Sequence, residues 1–117
     1  MPQFVVLTHD HPVLHWDLML ETPEGLRTWR LSRPPDNEPG ELREIPAEPL
    51  PLHRREYLDY EGPVSGNRGT VTRWGRGEYA VVEETPDRLE VVFTGAQLQG
   101  NAVLQRSGTS ETWKFPS

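Results

Sequence analysis

The apolar positions of this chain come in short runs separated by turn residues. Gln3 to Thr8 reads as a first strand, and Leu14 to Glu21 as a second, in which side chains alternate. His15, Asp17 and Met19 fall on one face of that strand and Trp16, Leu18 and Leu20 on the other, as a period of two requires. Pro12 lies between the two strands, so "HDHPV" is predicted to be the connection of a hairpin. "PEG" at Pro23 to Gly25 then turns the chain into a third strand, Leu26 to Ser32, which completes a meander. Arg33 to Leu52, "RPPDNEPGELREIPAEPLPL", is rich in proline and acid and has no periodicity. It is predicted to be a long irregular loop with at most a short strand near Leu42 to Ile45. After "HRREYLDYEG" and the glycine-punctuated "GPVSGNRG", strands are expected at Thr70–Trp74, Glu78–Val82, Leu89–Thr94, Ala102–Gln105 and Thr112–Phe115. About eight short strands with turns between them predict a mainly β architecture, either a barrel or a sandwich.

Composition narrows this picture. With 117 residues the chain fits one domain over 1–117, and its 12 prolines and 10 glycines interrupt it too often for long helices. It has no apolar run of about 20 residues that would span a membrane, and "MPQFVVLTHD" lacks the basic start and apolar stretch of a signal peptide, so the expected location is cytoplasmic. The absence of cysteine leaves nitrogen and oxygen as the only metal ligands. A net charge of −6 argues against generic adhesion to nucleic acid, though a local site stays open. All the basic residues except Lys114 are arginine, which either reflects composition bias or supplies forks for phosphate.

Three of the four histidines lie in "HDHPVLHWD". His9 ends the first strand and His15 begins the second, so the hairpin brings them together, and Asp17 shares a face with His15. Two imidazoles and a carboxylate suit manganese, iron or zinc and leave positions open for water or substrate. His11, at the turn tip beside Pro12, is left out of the set. The competing reading makes these residues ordinary polar positions, with Asp17 paired to an arginine. His53 and Tyr57 could supply acid–base chemistry or hold a phosphoryl oxygen, or Tyr57 and Tyr60 could be core aromatics. Arg68, Arg73 and Arg76 around Trp74 fit a stacking and phosphate platform for single strands, or simple strand alternation.

Several stretches together resemble the 3′-phosphoesterase domain of bacterial DNA ligase D, a domain found also as a stand-alone protein. They are "FVVLTHDHPVLHWDLMLE", "TWRLSRPP", "HRREYLDYEG", "GTVTRWGRGEY" and "LQGNAVLQRS" followed by "ETWKF". The resemblance implies a small antiparallel β-barrel of about eight strands with flanking loops and short helices. It also implies a divalent metal, typically Mn2+ with Zn2+ or another transition metal as alternatives. The implied activity is removal of a ribonucleoside or phosphate from nucleic-acid 3′ ends at a primer–template junction, in DNA end repair. By matching position, His9, His15 and Asp17 would be the metal ligands, and His53, Tyr57 and Arg43 would serve the phosphate. One departure stands out: the family has an arginine two residues after the metal aspartate, where this chain has Met19. Two function classes follow, a metal-dependent 3′-phosphoesterase, or a catalytically silent metal-containing module that binds nucleic-acid ends or a repair protein.

Overall fold

A computed structural model describes residues 2–35 and 44–115. The chain forms nine strands: β1 (Gln3–His9), β2 (His15–Thr22), β3 (Gly25–Leu31), β4 (Glu44–His53), β5 (Gly62–Pro63), β6 (Thr70–Thr85), β7 (Arg88–Gly95), β8 (Gln99–Ser107) and β9 (Ser110–Lys114). One short 3-10 helix, Arg55–Leu58, separates β4 from β5. All neighbours pair antiparallel in the order β1-β2-β3-β4-β9-β8-β7-β6-β5, and β1 also pairs with β6. The sheet therefore closes into a barrel-like ring of eight strands with β5 attached to the outside of β6, and closure removes the exposed edges that an open sheet would present.

Alternation divides the side chains between two apolar clusters. The inner one gathers Phe4, Val6, Leu18, Leu20, Trp29, Leu31, Phe93, Leu104 and Trp113 among others, with Trp16 and Trp74 packed against it. The outer one is small and consists of Val5, Leu7, Met19, Leu26, Leu58 and Val71. Leu58 of the 3-10 helix covers the outer wall at β1 and β2, which is why "FVVL" is an unbroken apolar run: that part of β1 is buried on both faces.

Two elements differ from expectation. Most of the described part of the proline-rich stretch read as an irregular loop is β4, a strand of 10 residues that runs on to His53. The prolines fit because the partners of β4 are staggered. β9 pairs with Glu44 to Ala47, whereas β3 pairs from Ala47 onward. Pro46 thus precedes the β3 ladder, and Pro49 and Pro51 lie past the end of the β9 ladder, where an absent N–H costs no sheet hydrogen bond. The second difference is that Thr70–Trp74 and Glu78–Val82 belong to one 16-residue strand, β6, which passes from β1 to β7. Gly77, which falls between the two expected strands, permits close contact. A Cβ there would collide with the Thr94 carbonyl and the Phe4 ring.

Candidate metal centre

The hairpin between β1 and β2 puts His9 directly opposite His15 and Leu7 opposite Asp17. Trp16, between the two site residues on β2, packs toward the inner cluster, so His15 and Asp17 face the outer wall. The two imidazole rings lie 4.8 Å apart at their centroids. Asp17 Oδ1 is 3.3 Å from His15 Nε2, and Asp17 Oδ2 is 3.7 Å from His9 Nδ1. One ligand atom from each of the three residues falls within 4.8 Å of the others, a spacing that could hold a metal ion.

The outer ring nitrogens set the chemistry of the inner ones. His9 Nε2 lies 2.8 Å from the Arg68 carbonyl, and His15 Nδ1 lies 2.9 Å from the Val13 carbonyl. A carbonyl only accepts, so each of these nitrogens carries the proton and donates it. In the neutral form that binds metal, the other nitrogen of each ring presents a lone pair to the carboxylate. His15 and Asp17 are 3 % and 4 % exposed, and both His15 Nε2 and Asp17 Oδ1 are buried without a hydrogen-bond partner. Converging, unpartnered lone pairs repel one another and have lost water, which a shared cation would resolve. This donor set, two imidazole nitrogens and a carboxylate, fits a divalent transition metal.

Arg68 reaches the triad through the turn from Ser65 to Gly69, in which Gly66, Asn67 and Gly69 have positive φ. Its side chain bonds back to the Ser65 carbonyl at 2.7 Å, and the Asp10 carboxylate accepts from the Thr70 backbone N–H at 2.8 Å. Gly69 is required where these segments meet, because its φ is +78° and a Cβ there would run into Asp10 and His11. His11 itself is exposed and is not part of the triad.

His53 and Tyr57 do not join the triad. They line a neighbouring cavity of about 480 Å³ with Arg54, Glu56, Tyr60 and Arg68. Arg68 belongs to both places, with its carbonyl on His9 and its side chain in the cavity wall. His53 Nδ1 donates to the Pro51 carbonyl at 2.9 Å, which leaves Nε2 as an acceptor. Its ring stands edge-on to Tyr57 at 5.9 Å, and Tyr57 stands edge-on to Tyr60. Arg43 lies outside the described residues.

Of the two readings of the arginines around Trp74, strand alternation is the one that fits. Trp74 packs against the inner cluster and is no free stacking face. Arg76 is tied to Asp59 at 2.9 Å and Arg73 to Glu61 at 3.7 Å, so the three arginines and the tryptophan do not form a common platform. Met19, which stands where the family has an arginine, shares the face of Asp17 as expected and is only 1 % exposed within the outer cluster.

The ring and the triad define a class: a closed, nearly all-β fold with a potential metal-ligand set on its outer wall. A family model of the DNA Ligase D 3'-phosphoesterase domain matches residues 7–106, and the chain belongs to that family. The Multifunctional non-homologous end joining protein LigD of Pseudomonas aeruginosa is 28% identical over 108 residues. That match covers 89% of this chain and 12% of the relative, so the chain spans a small part of that protein's length. The family supports a role in processing 3′ ends.

Proposed function

We propose that this protein is a metal-dependent phosphoesterase that removes phosphate or a terminal ribonucleoside from nucleic-acid 3′ ends in DNA end repair. The observation that carries the reading is the pair of buried, unpartnered acceptors at His15 and Asp17, pointed at each other and at His9. His9, His15 and Asp17 would hold the ion, and Mn2+, the metal that the family resemblance implies, is the first choice, with Zn2+ or another transition metal compatible with the same donors. Lewis acidity toward a phosphoryl oxygen is what a divalent ion supplies there when bound. His53 Nε2 is free to accept or, once protonated, return a proton. Tyr57 can donate its hydroxyl hydrogen to a phosphate oxygen, and Arg54 and Arg68 supply positive charge along the same cavity wall.

The test is release of inorganic phosphate from a 3′-phosphorylated primer–template by Mn2+-loaded protein. The expected result is release that His15→Ala and Asp17→Ala abolish. Wild-type protein that binds Mn2+ and the DNA end but releases nothing would identify a silent binding module instead.

A further inference from the structure

The strand register places Arg73, Leu7, Asp17, Arg30 and Glu48 in one row across the outer wall, each opposite the next on a neighbouring strand. Directly opposed residues of antiparallel strands lie about 4.5–5.5 Å apart at Cα, so the Arg30 side chain starts one strand away from the Asp17 carboxylate. Arg30 is half-buried, and its Nε is buried with no hydrogen-bond partner. Its ion pair with Glu48 is long, 3.8 Å, and the Glu48 side chain is 64% exposed. A pair of this kind contributes little and exchanges readily. Arg73, at the far end of the row, also has a buried unpartnered Nε and a long ion pair, but Leu7 separates it from Asp17, and Glu61 contacts both its guanidinium and its backbone N–H.

Arg30 and His15 line a second cavity, of about 380 Å³, with Val13, Leu14, Ala47 and Glu48. Val13 and Leu14 are 67% and 56% exposed, which is unusual for two successive aliphatic residues beside a polar site. A guanidinium with one long contact to an exposed carboxylate, an adjacent candidate cation site and an apolar wall are complementary to an anion attached to a flat, weakly polar body. A phosphate on a nucleoside has that chemistry.

We propose that Arg30 is a substrate-anchoring residue whose guanidinium takes the terminal phosphate of a nucleic-acid 3′ end. The terminal nucleoside lies against Val13 and Leu14, and Glu48 holds the guanidinium until the phosphate displaces it. This assignment rests on the 3′-end reading above and adds a specificity element to it.

The experiment compares wild type, Arg30→Ala, Arg30→Lys and Glu48→Gln, all loaded with Mn2+. Each is titrated into labelled primer–template ending in either a 3′-phosphate or a 3′-hydroxyl, and phosphate release is followed separately. Wild type is expected to prefer the 3′-phosphate, and Arg30→Ala to lose about tenfold or more of that preference, with Mn2+ affinity unchanged. Arg30→Lys should retain part of it, and Glu48→Gln should bind the 3′-phosphate at least as tightly as wild type. Should Arg30→Ala fail to fold, Arg30→Gln, which keeps the aliphatic stem, carries the same comparison. A preference absent from wild type, or unchanged when Arg30 is removed, overturns the assignment, and weaker binding by Glu48→Gln overturns the placeholder role. If the preference depends on Arg30 but wild type releases no phosphate, the phosphoesterase reading falls and the anchoring role stands.

Discussion

Asp17 has one carboxylate oxygen that is buried and meets no donor, beside an imidazole nitrogen in the same condition. That arrangement makes the metal-free protein less stable than its fold permits. Excess Mn2+ should therefore raise the unfolding midpoint of wild type, with about 2.7 kcal/mol expected at a hundredfold excess over Kd. Asp17→Asn should show no such rise. Because the new amide can donate to His15 Nε2, its metal-free midpoint should equal or exceed that of wild type in a calorimetric scan. An equal Mn2+ response in the two proteins would remove Asp17 from the ligand set. Met19 gives a second test at this scale. It is sealed in the outer cluster, so Met19→Arg buries an unpaired charge and should cost about 3 kcal/mol or more in chemical denaturation, whereas Met19→Leu should cost less than about 1.5 kcal/mol. Tyr79 supplies the pH dependence. Burial raises its pKa above the usual value, and its hydroxyl donates to the Glu21 carbonyl. The unfolded chain loses this proton near pH 10, before the folded one does. Its contribution to stability is therefore complete below about pH 10 and lost as pH rises through the higher folded value. Tyr79→Phe should flatten that alkaline decline in a series of melting curves. The triad was legible in the sequence because its members are close along the chain and one hairpin joins them. Arg30 could have been found by counting: Thr22 opposes Gly25, and outward from that turn the register reaches Asp17 opposite Arg30. The burial of Met19 depends on Leu58, far along the chain, and alternation on β2 carries no trace of it.

The elements that escaped the sequence pattern did so because proline and glycine report local backbone preference, while their effect depends on the neighbouring strands. β4 accommodates three prolines because its two partners cover different halves of it. β6 runs through Gly77 because close packing against Thr94 and Gly95 of β7 and against Phe4 leaves no room for a side chain, while Gly75 faces Gln97 beyond β7, and no turn is formed there. In contrast, "GNRG" at Gly66 to Gly69 is a true turn, with positive φ at three of its four residues. This turn sets the position of the Arg68 carbonyl and hence the tautomer of His9. Gly69→Ala should strain the backbone and push the turn off Asp10 and His11. The expected cost is about 1–3 kcal/mol of stability. The more specific outcome is a loss of Mn2+ affinity of about tenfold or more, in the range that loss of a ligand's outer partner produces. Calorimetric titration at a temperature where the variant is fully folded separates the two effects. Unchanged affinity would show that the turn does not orient His9.

Across the whole molecule, the net charge of −6 and the distribution of partners decide how a polyanion could bind. Most described cations are already neutralised locally: Arg27 by Glu84, Arg73 by Glu61, Arg76 by Asp59, Arg88 by Glu83 and Glu90, Arg106 by Glu84 and Glu111, and Lys114 by Glu44. Among the described residues, Arg54 and Arg68 in the larger cavity and Arg55, held by the Thr22 and Pro23 carbonyls, have no carboxylate partner, and Arg30 in the smaller cavity has one exposed partner, Glu48. Arg30, Arg54 and Arg68 thus put positive charge in the two cavities, Arg55 lies apart from them, and the net charge disfavours binding along a nucleic-acid backbone. This distribution favours capture of an end over binding along a duplex. Each neutralised phosphate contributes about 0.7–0.9 to the slope of log affinity against log salt, so the three guanidinium groups that line the two cavities, Arg30, Arg54 and Arg68, set an expected slope of about −2 to −3. The measurement is a salt titration of binding to a 3′-phosphorylated primer–template with Mn2+ held constant. A slope steeper than about −5, or equal affinity for an internal duplex without ends, would mean that the protein tracks the backbone and that the two cavities are not its principal contacts.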